Sequence, residues 1–429
     1  MKNHPLEFLD HPFSRRKLFA QASAGLLGVK VLSDWEQLAF AAAPSAKAKQ
    51  VIVLMMRGAM SHIDTFDPKP GRDVQGETET IKTKTPGVLF GKSLPGLAEL
   101  SEELAVIRSM TTETGDHQQG TYLMRTAYKK LNSISHPSLG AWLLHSMGKI
   151  SKDLPGSVLI GNGNEHPNAG FLESTVIPVP IGDPSKGLEN IKSPSYLTDT
   201  NFKRRLTLAA KIDSDFRVKY SGNEIGTYNE MYKEAVRLMG SKELAAFDIT
   251  QESEEARSAY GNHRFGQGCL LARRLIESNV RCVEVSCGGW DMHNSIYGPG
   301  ALPGRGGVLD RGLGNLIKDL AASGLLDETL VVLATEFGRS PELNYNAGRD
   351  HHPAAFSVAL AGGGIRGGQF YGSSDAAGHS VDQDAASPAD FNATIATALG
   401  LPLDQEIISA TGRPFKVAHD GKPIEKLFG

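Results

Sequence analysis

The chain has 429 residues, of which 40% are hydrophobic and 22% are charged, and its formal net charge is −3. This is an ordinary globular composition, and the near-neutral charge, without a basic stripe or interleaved aromatic residues, argues against a nucleic-acid-binding protein. The three cysteines are few and odd in number, which argues against a disulfide framework, so we interpret them as small buried hydrophobic residues.

The N-terminal segment has the pattern of an export signal. Residues 14–20 read Ser-Arg-Arg-Lys-Leu-Phe-Ala, and a weakly apolar stretch interrupted by a lysine continues to Leu32. Small residues suited to signal cleavage follow within residues 38–43. We therefore predict a signal peptide over residues 1–41 and a linker over residues 42–49.

The type of signal is indicated by the pair Arg15 and Arg16 before a weak apolar core, which resembles a twin-arginine signal. Ala20 stands where such signals commonly have lysine, and cleavage is predicted after Ala41. The resemblance predicts the twin-arginine translocase as a partner and a periplasmic or other extracytoplasmic location. The apolar run is too short and broken for a stable membrane span. The alternative is an amphipathic N-terminal helix.

The rest of the chain alternates between apolar runs and helical patterns, which predicts one α/β domain over residues 50–429 with a mostly parallel sheet and helices on both faces. The predicted strands are Gln50–Met56, Leu104–Met110, Arg281–Cys287, Thr329–Thr335 and Phe356–Ala361. The predicted helices are Pro95–Leu104, Gly120–Lys130, Ser138–Met147, Phe265–Ser278, Leu309–Ser323 and Pro388–Leu399. Residues 150–200, rich in Pro, Gly, Asn and Ser, are predicted to be an irregular insertion.

Polar segments follow several of these strands, where sites lie in parallel sheets. The segments are residues 57–68, 114–121, 288–294, 336–340 and 348–353. Five of the 13 histidines fall in them, so we predict one shared site at this sheet edge. Solvated loops with structural hydrogen bonds are the alternative.

The histidines and carboxylates of these segments are candidate ligands for a divalent metal, because ions such as zinc take imidazole and carboxylate ligands from converging loops. Asp291 and His293 are two residues apart and would share one side of an extended segment. Among Asp350, His351 and His352, neighbouring side chains would point apart, so one or two would be ligands and another would support them. Zinc is the predicted ion, with calcium or manganese as alternatives.

Three arginines, Arg57, Arg339 and Arg349, are candidates for binding a phosphate, sulfate or carboxylate group, because a guanidinium suits bidentate capture of such anions. Ion pairs that fix the loops are the alternative for each. Ser61 and Thr121 are candidate nucleophiles, since a hydroxyl beside a metal can be activated.

Five motifs occur along the chain after the signal, namely Arg57–Pro70, Ala272–Leu275, Gly289–His293, Thr335–Arg339 and Gly348–His351. Together they resemble the DUF1501 family, a group of twin-arginine-exported bacterial proteins in the alkaline phosphatase/sulfatase superfamily. The resemblance covers essentially the whole chain after the signal. It implies an alkaline phosphatase-like core with a parallel sheet and a one- or two-metal hydrolase site for phosphate or sulfate esters.

Carried over by position, the resemblance implies that Asp291, His293 and His351 hold one metal. Glu336 matches an acidic ligand, but the histidine usual after it is replaced by phenylalanine. Arg57 stands near the usual place of the acidic ligand after the first strand. A second metal site would therefore be lost or rebuilt, with His62 and Asp64 as the candidate ligands.

These observations predict a metal-dependent hydrolase of small-molecule or glycan esters. His117, Glu336 and Asp350 are candidate ligands or general acid–base groups, and His117 and Glu336 are the two we expect to be catalytic. In residues 116–121, where the superfamily nucleophile would lie, the one hydroxyl is that of Thr121, and no Ser, Thr or Cys stands clearly in the nucleophile's place, which speaks against covalent catalysis. The alternative is a non-catalytic exported protein that binds a ligand in the same pocket.

Overall fold

The apolar run that follows the N-terminal segment forms the centre of a sheet in the computed structural model, which describes residues 47–189, 191, 196–219 and 234–429. The main sheet has eight strands, named in chain order. They are β1 (Gln50–Met56), β2 (Leu104–Met110), β3 (Ser157–Ile160), β4 (Val179–Ile181), β5 (Cys282–Cys287), β6 (Thr329–Thr335), β7 (Phe356–Ala361) and β8 (Gln369–Tyr371).

The strand order across the sheet is β8-β2-β7-β6-β1-β5-β3-β4. Strand β7 is antiparallel to both of its neighbours, and every other adjacent pair in this sheet is parallel. The carboxyl ends of seven strands therefore lie at one edge, together with the start of β7. This edge is where the sequence predicted the site.

Eight helices with defined bounds surround the sheet in the described part of the chain. They are α1 (Pro95–Glu99), α2 (His117–Thr126), α3 (Leu139–Met147), α4 (Asp199–Lys219), α5 (Glu254–Ala259), α6 (Arg264–Glu277), α7 (Leu302–Ala322) and α8 (Pro388–Ala398). Two-residue strands at Gly338–Arg339 and His351–His352 form a separate small hairpin.

Helices cover both faces of the sheet because the side chains of β1 alternate between two apolar cores. Ile52 and Leu54 point into the core that contains the buried faces of α6 and α7. Val51 and Met55 point into the core that contains residues of α3 and α8. The predicted α/β class, with a mostly parallel sheet and helices on both faces, is confirmed.

The predicted bounds of β1, β2, β6 and β7 are confirmed, and each of these strands is mostly apolar and almost wholly buried. The prediction for residues 150–200 was incomplete, because β3 and β4 lie there and extend the sheet. With four and three residues among prolines and glycines, these strands are too short to show a period of two.

Helix α2 begins at His117, three residues before the predicted start. The Asp116 side chain accepts a hydrogen bond from the Gln119 backbone N–H and caps the helix. The helix ends at Thr126 because Ala127 is left-handed, with φ of 64°. The early start places a histidine in the first turn of this helix, beside the sheet edge.

The described residues belong to one compact unit, Pro44–Gly429. None of the helices in the described ranges is both long and apolar enough to cross a membrane. The predicted signal peptide and its cleavage site lie outside the described residues.

Candidate metal centre

Four side chains from three separate segments converge at the carboxyl edge of the sheet. His117 begins α2 after β2, Asp291 and His293 follow β5, and His351 comes just before β7. The Nε2 atoms of His117, His293 and His351 lie 3.4, 3.0 and 3.3 Å from Asp291 Oδ1. We refer to these four residues as the His-Asp cluster.

Local backbone features bring these loops together. Gly58, the second residue after β1, has φ of 111°, and a Cβ atom at this position would lie 2.4 Å from the backbone nitrogen of Asp291. Only glycine allows this conformation and this approach. In the small hairpin, Arg339 pairs with His351, which places both at the cluster.

Each histidine of the cluster donates its other ring nitrogen to a fixed acceptor. His117 Nδ1 lies 2.8 Å from Glu336 Oε1, His293 Nδ1 lies 2.8 Å from Asp350 Oδ1, and His351 Nδ1 lies 2.7 Å from the carbonyl oxygen of Gly115. Because these acceptors require the proton on Nδ1, the Nε2 lone pairs face the centre. Histidines that bind metals are held by partners of this kind.

The centre between these nitrogens suits a positive charge. His293 Nε2 and His351 Nε2 are 3.0 Å apart, which suits either a hydrogen bond in which one of the two nitrogens carries a proton or two lone pairs that share a cation. The buried His117 Nε2 has no hydrogen-bond partner within the described chain. Candidate ligand atoms of His117, Asp291 and His351 all lie within 4.8 Å of one another, close enough to hold one metal ion. The donor set fits a divalent metal.

Arg339 is buried beneath the cluster and is only 1% exposed. Its guanidinium donates to Asp291 and to the carbonyl oxygens of Gly58 and Ala59, and Nη1 lies 3.3 Å from His293 Nε2. Burial raises the pKa of the Asp291 carboxyl, but the hydrogen bond and charge of Arg339, with His117, lower it to about 2. Arg339 thus positions and ionises Asp291 and does not face a substrate.

Glu336 is buried behind His117 and is not at the centre of the cluster. Its Oε1 accepts from the Gly58 backbone N–H at 2.7 Å as well as from His117. The hydrogen bond to Glu336 raises the pKa of His117, and the Phe337 ring stacks on the imidazole at 5.0 Å. The structure therefore places Glu336, predicted as a ligand or catalytic group, as a support for His117, and it places His117 among the candidate ligands.

Asp350 and His352 flank His351 but do not join the cluster. Asp350 accepts from His293 and from Asn344 Nδ2, and the hydrogen bonds from Asn344 and His293 lower its pKa. His352 Nε2 donates to the carbonyl oxygen of His379 at 2.6 Å. Consecutive residues of an extended strand point to opposite sides, which separates His352 from His351.

The structure does not place His62 and Asp64 in a second metal site. Asp64 is fully buried and paired with Arg349, whose Nε lies 2.7 Å from Asp64 Oδ2. The Thr78 hydroxyl donates to the other oxygen of Asp64. His62 is also fully buried, and its Nε2 donates to the carbonyl oxygen of Gly378. Arg349, predicted to bind an anion, has 0% exposure and fixes the loop after β1 instead.

The two candidate nucleophiles are also buried. The Ser61 hydroxyl donates to Asp64 Oδ2 at 2.5 Å, and Thr121 is 1% exposed within α2. Neither hydroxyl is accessible to a substrate at the cluster. The predicted nucleophilic role is therefore not supported for either residue.

Two supports of the cluster, the Gly115 carbonyl and Asn344, have no signal in the sequence. A backbone carbonyl has no side-chain identity to reveal its role, and Asn344 lies outside the polar segments that follow the strands. Arg57, in contrast, is partly exposed beside the cluster and pairs with Glu165 at 2.8 Å.

Several solved structures share a distant likeness with the chain. A protein in the alkaline phosphatase superfamily from Vibrio parahaemolyticus matches with 11% identity and a TM-score of 0.41, over 90% of this chain and 72% of that one. The lipoteichoic acid synthase LtaP from Listeria monocytogenes matches with 10% identity and a TM-score of 0.39, over 90% and 79% of the two chains.

A phosphonate monoester hydrolase from Silicibacter pomeroyi matches with 13% identity and a TM-score of 0.39, over 88% of this chain and 76% of that chain. No curated protein sequence matches the chain significantly. The model of the family described as "Protein of unknown function (DUF1501)" matches residues 48–428, nearly the entire described chain. The resemblance seen in the motifs is confirmed, and the chain belongs to the DUF1501 family.

Proposed function

We propose that this protein is a divalent-metal-dependent hydrolase of phosphate or sulfate esters that acts outside the cytoplasm after twin-arginine export. The observation that carries the proposal is the convergence of three imidazole Nε2 atoms on one oxygen of Asp291, at 3.0–3.4 Å. Each imidazole is fixed by a separate acceptor, so the arrangement is prepared for a ligand at its centre.

His117, Asp291, His293 and His351 would hold the metal. Three nitrogens and one carboxylate oxygen form a donor set that suits zinc, whereas calcium and manganese favour sites richer in oxygen. The metal would supply Lewis acidity toward an ester oxygen and would make a water molecule a better nucleophile.

The cluster is accessible to a substrate, and its surroundings would attract an anionic one. The Asp291 side chain is 46% exposed, so the cluster is open to solvent and to an incoming ester. Arg339 keeps this carboxylate ionised and adds a positive charge directly beneath it. A positive environment at an open site favours binding of an anionic ester.

The burial of Ser61 and Thr121 favours attack by water over a covalent intermediate on either hydroxyl. The same observation also supports a second candidate function, a non-catalytic exported protein that binds an anionic ligand at the cluster. The two functions share the metal and differ in turnover.

The test uses purified full-length protein and compares it with an Asp291→Ala/His351→Ala double variant. We expect about one zinc per chain in the unchanged protein and loss of the metal in the variant, measured by elemental analysis. Hydrolysis of aryl phosphate and aryl sulfate esters, followed by release of the phenol, is expected to disappear with the metal.

His352→Ala is the matched control, because it removes the neighbouring imidazole that donates to His379 instead. This variant should retain both the metal and the activity. Absence of stoichiometric metal, or equal metal in the double variant, would refute the proposal. Bound metal without turnover of either ester would favour the binding protein.

A further inference from the structure

Arg57 is the accessible member of the three arginines that the sequence predicted to bind an anion. Its side chain is 21% exposed, whereas Arg339 and Arg349 are buried and their guanidinium groups are occupied by Asp291, by Asp64 and by backbone carbonyls. Arg57 lies directly after β1, and its carbonyl oxygen accepts from the backbone N–H of Trp290, next to Asp291. A partly exposed guanidinium therefore stands beside the His-Asp cluster.

The present partner of this guanidinium is a carboxylate that is also bound by a second donor. Arg57 Nη2 donates to Glu165 Oε2 at 2.8 Å, and Gln118 Nε2 donates to Glu165 Oε1 at 3.3 Å. Gln118 is the residue directly after the candidate ligand His117 in α2. The two oxygens of one carboxylate are thus held by two donors at the edge of the cluster, one from the segment after β1 and one from the first turn of α2.

We propose that Arg57 and Gln118 form the binding site for an oxyanion of the substrate, and that Glu165 occupies this site in the absence of substrate. A carboxylate presents two charged oxygens about as far apart as two oxygens of sulfate or phosphate, so donors placed for one suit the other. This inference rests on the proposed function, because it identifies the group that recognises the anionic part of the ester.

The loop that carries Glu165 is held by a neighbouring residue, so the Glu165 carboxylate can leave Arg57 and Gln118 without release of the loop. Glu165 has φ of 69°, a left-handed conformation that is strained for a non-glycine residue. Its neighbour His166 is nearly buried, with Nε2 3.4 Å from Glu284, and anchors the loop independently. The Glu165 side chain is one-third exposed, so an incoming anion can displace it while the His166 anchor stays in place.

The test measures the affinity of the full-length protein for inorganic sulfate and inorganic phosphate by titration calorimetry. Glu165→Gln removes the competing charge and retains the shape, so we expect both anions to bind about fivefold more tightly. Arg57→Gln removes the charged donor, and we expect about tenfold weaker binding. The metal content of every variant is measured alongside, so that changes at the cluster are detected separately.

Glu173→Gln is the control, because Glu173 is a carboxylate of the same part of the chain that pairs with His145 instead. Its anion affinity should equal that of the unchanged protein. Unchanged affinity in Glu165→Gln, with intact metal content and folding, would overturn the inference. Because calorimetry needs no turnover, tighter binding in a protein without hydrolase activity would refute the proposed function and leave this site in place.

Discussion

At the scale of single residues, the partner of each Nδ1 atom separates the histidines of the cluster from the other histidines nearby. His117, His293 and His351 donate Nδ1 to Glu336, Asp350 and a carbonyl, and so present Nε2 lone pairs to one centre. His352 and His62 instead donate the Nε2 proton to carbonyl oxygens, so their Nε2 atoms have no lone pair left for a metal. Identical side chains thus have different chemistry because of one hydrogen bond each.

His62 gives a pH-dependent contribution to stability. Burial lowers the pKa of His62 to about 4, despite opposing effects of Asp67 and the Gly378 carbonyl and with small contributions from His352 and Lys69. The folded state prefers the neutral ring. The stabilisation is therefore fully present above the unfolded-state pKa of about 6.5, and it is lost as the pH falls toward the folded-state pKa of about 4. The full loss is on the order of 3 kcal/mol.

The free energy of unfolding should decline between pH 6.5 and 4, and we expect His62→Gln to remove the share of this decline that comes from protonation of His62. The free energy of unfolding is measured by urea denaturation at several pH values in this range. Burial also lowers the pKa of His136, so a residual decline should persist in the variant. A decline of the same size in the variant and the unchanged protein would contradict the assignment to His62.

At the scale of elements, helix α2 is fixed to the sheet by a buried ion pair. Arg125 near the end of α2 donates Nε and Nη2 to Glu284 Oε1 on β5, at 3.1 and 2.5 Å. Burial raises the pKa of Glu284, but Arg125 and His166 lower it to about 2, so the carboxylate stays charged. Because α2 also carries His117 and Gln118, this pair sets the position of the cluster from the opposite end of the helix.

Glu284→Gln should therefore be strongly destabilising, because it leaves the Arg125 charge buried without its counter-ion. We expect a loss of about 3–5 kcal/mol in the free energy of unfolding, measured by urea denaturation. Glu328→Gln is the control, since Glu328 pairs with Lys49 on the surface and its loss should cost less than about 1 kcal/mol. Similar costs for the two substitutions would show that the buried pair does not hold α2.

At the scale of the whole molecule, the mostly parallel topology gathers the loops after β1, β2, β5 and β6 at one edge. The cluster exists only when these distant segments are folded together. The predicted twin-arginine signal would suit the proposed function, because such signals serve the export of folded proteins and the site would take up its metal before export.

Substitution of both Arg15 and Arg16 by lysine should abolish most of the export, because the translocase recognises the arginine pair. Cell fractionation and immunoblotting would show the protein retained in the cytoplasm at its precursor size. Lys17→Arg is the control, since it keeps both arginines and should be exported normally. Equal export of the double variant would refute the predicted signal.

The sequence by itself determined the main strands, because buried parallel strands are continuous apolar runs that need no partner to be recognised. It also determined which segments meet, since polar residues after such strands share one edge. It did not determine which side chains take part. Whether Arg339 or Arg57 faces a substrate depends on contacts with loops elsewhere in the chain, which leave no local pattern.

The tertiary structure alone decided the composition of the cluster. His117 and Glu336 are 219 residues apart, and only their contact decides between the two predicted roles of His117, because it directs Nε2 toward the candidate metal. His351 and His352 are adjacent and chemically identical, but the pairing of His351 with Arg339 in the small hairpin directs one inward and the other away. The physical reason is that a side chain's direction is set by strand register, which long-range pairing fixes.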